Sequence, residues 1–181
     1  MLFFIFVVLA FILSRVDYCN IVLACLPTSA VAPLQRVLNT AARFVAGVTS
    51  RTDVSDIIKS VHWLPISYRA RFKFCVLMHG VHNGTSHFYL TDTTTPISSL
   101  LRHRRLRSSM TTEYDIPRTM IKSGDRAFSV AGSHEWNALS VDIRNITDLS
   151  SFKRAIKTLF LYCIFGLIQL YFSRLYYVRH F

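Results

Sequence analysis

The chain predicts a mainly α-helical protein: a small helical bundle with a minor β-hairpin and an apolar C-terminal helix. Three observations predict it. Apolar residues recur at helical spacing in one segment after another. Cap and stop residues bracket those segments. Strand-like alternation is confined to one short stretch around Tyr114. With 181 residues, 51% of them hydrophobic, the chain is long enough to bury a core. Composition divides it into an apolar N-terminal helix (1–27), a helical bundle (28–90), a basic irregular region with the hairpin (91–150), and an apolar helix with its tail (151–181).

Residues 1–13 are uninterruptedly apolar. A signal peptide has a core of this length but opens with positive charge and ends in small residues, neither of which is present here. A membrane span needs about 20 apolar residues, so this run spans only by passing through Arg15 and Asp17. The third reading, a buried helix running to its stop at Pro27, is the expectation taken here. The C-terminal run 159–172 repeats the ambiguity: it is nearly all apolar, is interrupted by Gln169, and is flanked by Lys153, Arg154, Lys157, Arg174 and Arg179. Tyr171, Tyr176 and Tyr177 suit a membrane boundary.

Between the ends, residues 33–45 read as a helix with Leu34, Val37, Leu38, Ala41 and Val45 in a stripe. Arg36 and Arg43 lie off that stripe, and Gly47 caps it. Asp53 caps a short helix over 54–61, with Asp56 favouring its dipole. His62-Trp63-Leu64-Pro65 then opens a helix whose apolar residues are Ile66, Ala70, Phe74, Leu77 and Val81, ending near Asn83-Gly84. It carries Arg69, Arg71 and Lys73. Residues 91–99 are a Thr/Ser/Pro linker, followed by the densest cationic run, Arg102, Arg104, Arg105 and Arg107. Thr112, Tyr114 and Ile116 alternate like a strand. Ser123-Gly124-Asp125 is a turn signal between 119–121 and 127–130, the predicted hairpin. Trp136 anchors a short helix, and Ser150 or Ser151 caps the last one.

A net charge of +11 and a pI near 10.0 point to an anionic partner, nucleic acid or an acidic membrane surface. The cysteines Cys19, Cys25, Cys75 and Cys163 form no C-x-x-C pair and sit in apolar settings, so buried free thiols and a reducing compartment are expected. Two sequons, at Asn83 and Asn145, matter only in a secreted chain. Catalysis finds no foothold. Asp53 with Asp56, and Glu113 with Asp115, read as helix-start and surface charges rather than a two-metal site. His79 and His82 share a helix face, but no cysteine or acid nearby completes a metal site. No phosphate-cradling glycine loop or nucleophile elbow occurs, so neither cofactor nor metal is expected.

Several blocks, taken in order, resemble one family. They are Ser14-Arg15-Val16-Asp17-Tyr18-Cys19-Asn20; the stretch from Pro33-Leu34-Gln35-Arg36 to Ala42-Arg43; His62-Trp63-Leu64-Pro65; Arg105-Leu106-Arg107-Ser108; Arg126-Ala127-Phe128-Ser129-Val130-Ala131-Gly132 with Trp136-Asn137-Ala138-Leu139; and Phe152-Lys153-Arg154-Ala155-Ile156-Lys157. Together they resemble the region downstream of the polymerase core in jockey-like non-LTR (LINE-type) retrotransposon reverse transcriptases, in a match running from about Val8 to Phe160. Ser133 and Ser140 stand where that pattern leads one to expect prolines, and the tail after Phe160 is unlike the family.

The resemblance implies a helical thumb and C-terminal extension that hold template and primer, without the palm and its aromatic-x-Asp-Asp motif. It implies a non-catalytic fragment, intracellular (cytoplasm or nucleus), that binds RNA or an RNA–DNA hybrid and no small-molecule substrate. The nucleic-acid-binding residues expected are Arg36, Arg43, Arg69, Arg71, Lys73, Arg102, Arg104, Arg105 and Arg107. The alternative is a small membrane-associated protein, inserted through 1–13 and 159–172.

Overall fold

The structure, a computed structural model, describes residues 9–48, 53–100 and 111–166. Regular structure among them is helical, and the one β-type contact is an isolated antiparallel bridge between Pro96 and Tyr114. The α-helices are α1 (Ser14–Asp17), α2 (Thr28–Ala46), α3 (Val54–Ser60), α4 (Ile66–His82), α5 (Phe88–Asp92), α6 (Phe128–Asn137), α7 (Val141–Arg144) and α8 (Leu149–Phe165). A π-helical turn, Leu9–Leu13, precedes α1, and 3₁₀ turns lie at Asn20–Leu23, Ile97–Ser99 and Gly124–Arg126. No helix among the described residues is long and apolar enough to cross a membrane.

The chain forms two compact units, Met1–Arg69 with Lys157–Phe181 and Ala70–Ile156. In the first, Leu38 and Ala41 of α2 pack with Leu13, Val16 and Ile66, and Ala42 packs with Val54, Ile57 and Ile58 of α3. Trp63 touches both clusters. Its position follows from how α3 ends. His62 adopts a left-handed conformation (φ 53°), its N–H donating to the Lys59 carbonyl at 3.1 Å and that of Trp63 to Ile58 at 3.0 Å. This is a Schellman termination, in which the residue after the left-handed one turns back onto the helix. The indole is therefore delivered onto Ile58 by backbone geometry. Pro65 then frees α4 to start, and the Ile66 N–H, which has no helical partner, donates to the Gln35 side-chain oxygen of α2 at 3.0 Å.

In the second unit α4 buries Ala70, Phe74, Cys75, Met78, His79 and Val81, while Leu77, assigned to the stripe above, is only half-buried. Trp136, Phe152 and Ile156 are sealed from solvent. Gly132 lets α6 approach closely, since a Cβ there would lie 3.2 Å from the Met78 sulfur.

The fold corrects several expectations. The hairpin is absent: 128–130 begins α6, because Phe128, Ala131, Gly132 and Trp136 continue at helical spacing beyond the four-residue window that looked like a strand. The stretch around Tyr114 has only its single bridge. The N-terminal helix does not run unbroken to Pro27, as Cys19 (φ 50°) and Cys25 (φ 58°) turn left-handed and interrupt it. Phe11 and Tyr18 are exposed, at 73% and 79%, though Leu13 and Val16 are buried. α8 ends at Phe165, with Gly166 turned left-handed (φ 67°), and Asp148 rather than Ser150 or Ser151 caps its start, accepting from the Ser151 N–H at 2.7 Å. Only Cys75 is buried; Cys19, Cys25 and Cys163 are exposed. Residues 1–8 and 167–181, which include most of the N-terminal apolar run and the last part of the C-terminal one, lie outside the described residues.

Candidate nucleic-acid interface

α2 contains no acidic residue over its whole length. Its exposed face carries Arg36, Val37 and Phe44, the last two 47% and 55% exposed. Arg43 is half-buried, its Nε without a hydrogen-bond partner. Its charge reaches Asp53, whose carboxyl sits below its usual range chiefly because the Ser55 backbone and side chain hydrogen-bond it.

The cations of α4 divide differently. Arg69 grips Asp17 through Nη1, at 2.7 Å from each carboxylate oxygen, and its Nε donates to the Leu64 carbonyl at 2.8 Å. Its side chain is only 13% exposed. Arg71 donates through Nε to both oxygens of Glu135, at 2.9 and 2.8 Å. Lys73 is exposed, with no ion pair among the described residues. So Arg36 and Lys73 offer their charge outward, while Arg69 and Arg71 each meet an internal carboxylate. Those acids escaped the sequence reading because they lie 52 and 64 positions away, where no local spacing marks them. Arg102, Arg104, Arg105 and Arg107 lie outside the described residues.

The Trp136-Asn137 pair has a structural task. Ile97 N–H donates to the Glu113 carbonyl at 3.0 Å and Asp115 N–H to that of Thr95 at 2.8 Å, so Pro96 and Tyr114 face each other in a non-hydrogen-bonded pair. Such a pair suits a proline, which has no N–H to give, and turns the Tyr114 peptide groups the other way. There the Asn137 amide takes both, accepting from the Tyr114 N–H at 3.0 Å and donating to its carbonyl at 2.7 Å. One side chain thus does the work of a third strand. The Trp136 indole donates to the Thr112 carbonyl at 2.8 Å.

The histidines join the same core. His79 donates from Nε2 to the Ile146 carbonyl at 2.8 Å and lies 4.1 Å from the Phe152 ring, centroid to centroid. His82 lies 5.1 Å from the Trp136 ring, and burial, then His79 and Arg144, pull its pKa below 6.5. Burial pushes the Cys75 thiol up to about 12, with Glu135 adding to the shift and Arg71 opposing it. A thiol so held is inert as a nucleophile. No group of three or more metal-ligating side chains gathers among the described residues.

No family model, curated protein or solved structure matches the chain.

Proposed function

We propose that this chain is a non-catalytic fragment of a retrotransposon reverse transcriptase that binds nucleic acid, RNA or an RNA–DNA hybrid, through basic helices. The observation that carries the reading is α2, an acid-free helix that turns Arg36 outward beside Val37 and Phe44. Cations without internal partners neutralise phosphates and release counterions, whereas Arg69 and Arg71 must first give up Asp17 and Glu135. Arg36 in the first unit and Lys73 in the second accordingly each lead phosphate contacts of their own, with Arg43 and the run from Arg102 to Arg107 as further cations. The ordered sequence blocks supply the origin, and the absence of an aromatic-x-Asp-Asp motif from the sequence supports the lack of polymerase chemistry. The site of action is the cytoplasm or nucleus.

The test is a salt titration of binding to a labelled RNA–DNA hybrid. Affinity should fall steeply with salt, and Arg36→Ala should flatten the log–log slope by about 0.9, the value of one phosphate contact on a duplex. A wild-type slope near zero would overturn the reading. So would primer extension by the purified chain, as regards catalysis. Stable pelleting with membranes would instead favour the alternative that rests on 1–13 and 159–172.

A further inference from the structure

Just beyond α4 the chain exposes rings that an ordinary helix would bury. Phe88 is 77% exposed and Tyr89 56%, while Leu90 beside them turns inward to half-burial. His87 precedes α5 in an extended conformation (φ −63°, ψ 145°), which lays its ring alongside Tyr89 at 5.7 Å with the planes only 11° apart. Phe88 stands edge-on to Tyr89, 6.2 Å away and 82° inclined. We propose that His87, Phe88 and Tyr89 form a stacking platform for the unpaired bases of a single-stranded nucleic acid.

The platform is held before any ligand arrives. Gly84 (φ 68°) ends α4, the Thr85 and Ser86 N–H groups both donate to the Gly80 carbonyl at 2.8 and 3.2 Å, and the Ser86 hydroxyl donates to Leu77 at 3.3 Å. Gly80 makes room for this loop, since a Cβ there would meet the Ser86 hydroxyl at 2.5 Å. The backbone that carries the rings, held in this way, loses little freedom on binding. A duplex hides its base faces within its own stack, so only unpaired bases can use them. The chain's net charge of +11 favours such a polyanion over an apolar protein partner, and Asp92, the one acid on α5, limits the platform on its C-terminal side. The proposal rests on the nucleic-acid reading but concerns residues other than Arg36 and α2.

The experiment compares the full chain with F88A/Y89A for anisotropy binding of a labelled single strand and of a hybrid of equal length. The double variant should bind the single strand roughly five-fold or more weakly, the loss expected from a single stacked base, and bind the hybrid as before. Phe88→Trp should retain single-strand affinity, with its indole emission quenched by the bound bases. Unchanged single-strand affinity in F88A/Y89A, or equal losses on both ligands, overturns the platform alone. Failure of the wild type to bind either ligand overturns the nucleic-acid reading beneath it. Should sedimentation show that F88A/Y89A abolishes self-association while oligonucleotide affinity is unchanged, the rings serve a second copy of the chain and the proposal falls.

Discussion

His62 is a residue whose backbone matters more than its imidazole. The side chain is exposed, yet φ of 53° places the residue where any Cβ is crowded by the following carbonyl. It holds that conformation because the turn after α3 must return Trp63 to Ile58. Glycine meets no such penalty. His62→Gly should therefore stabilise the protein by about 1 kcal/mol, read as a melting temperature some 2–4 °C higher. A lower melting temperature would mean the imidazole has a role beyond the turn. His82 behaves in the opposite way, through its ring. Its folded pKa lies below 6.5, so between that value and the folded pKa the unfolded chain binds the proton more readily. Stability should be flat above pH 6.5 and decline as the pH falls below it. Urea denaturation across this range should show the decline, and His82→Phe should flatten it. Asp53 and Asp148, both depressed carboxyls, act in a lower window, losing their contribution only as the pH falls through their folded values.

At the scale of elements, the Asn137 amide replaces a strand. Tyr114 is only 4% exposed, so removing the amide leaves a buried N–H and a buried carbonyl without partners. Asn137→Ala should cost roughly 2–4 kcal/mol and speed exchange of the Tyr114 amide hydrogen, with α4 and α8 little affected. A cost below about 0.5 kcal/mol, the level of an ordinary surface substitution, would deny the clamp. The sequence revealed less of this clamp than of the helices around it. Gly47, Asp53 and Asn83-Gly84 announced the ends of α2 to α4 because caps are local chemistry. The segment 113–115 is held by Thr95, Ile97 and Asn137, and no periodicity connects those positions. The same limit hid the acids that hold Arg69 and Arg71. Spacing revealed that the cations existed, but only the fold could reveal which of them were already occupied.

For the whole molecule, charge sets two effects of opposite sign. A net +11 repels itself in the folded state, and salt screens that repulsion, so the melting temperature of the protein alone should rise with sodium chloride. Internal pairs such as Arg69 with Asp17 lose a little in the same salt, but exposed pairs are worth only about 0–1 kcal/mol, and few occur among the described residues against so large an excess. Bound nucleic acid acts the other way. A polyanion that binds only the folded chain adds stability as RT ln(1 + [L]/Kd), and Kd weakens steeply with salt. Thermal scans with and without an RNA–DNA hybrid should therefore differ by several degrees at about 50 mM salt and converge by about 300 mM, while the curve for the protein alone moves upward. Arg36→Ala should narrow the low-salt gap while leaving the protein-alone trend in place. If the gap persists at high salt, phosphate neutralisation is not what binds the ligand, and the outward-facing arginine of α2 loses the role proposed for it.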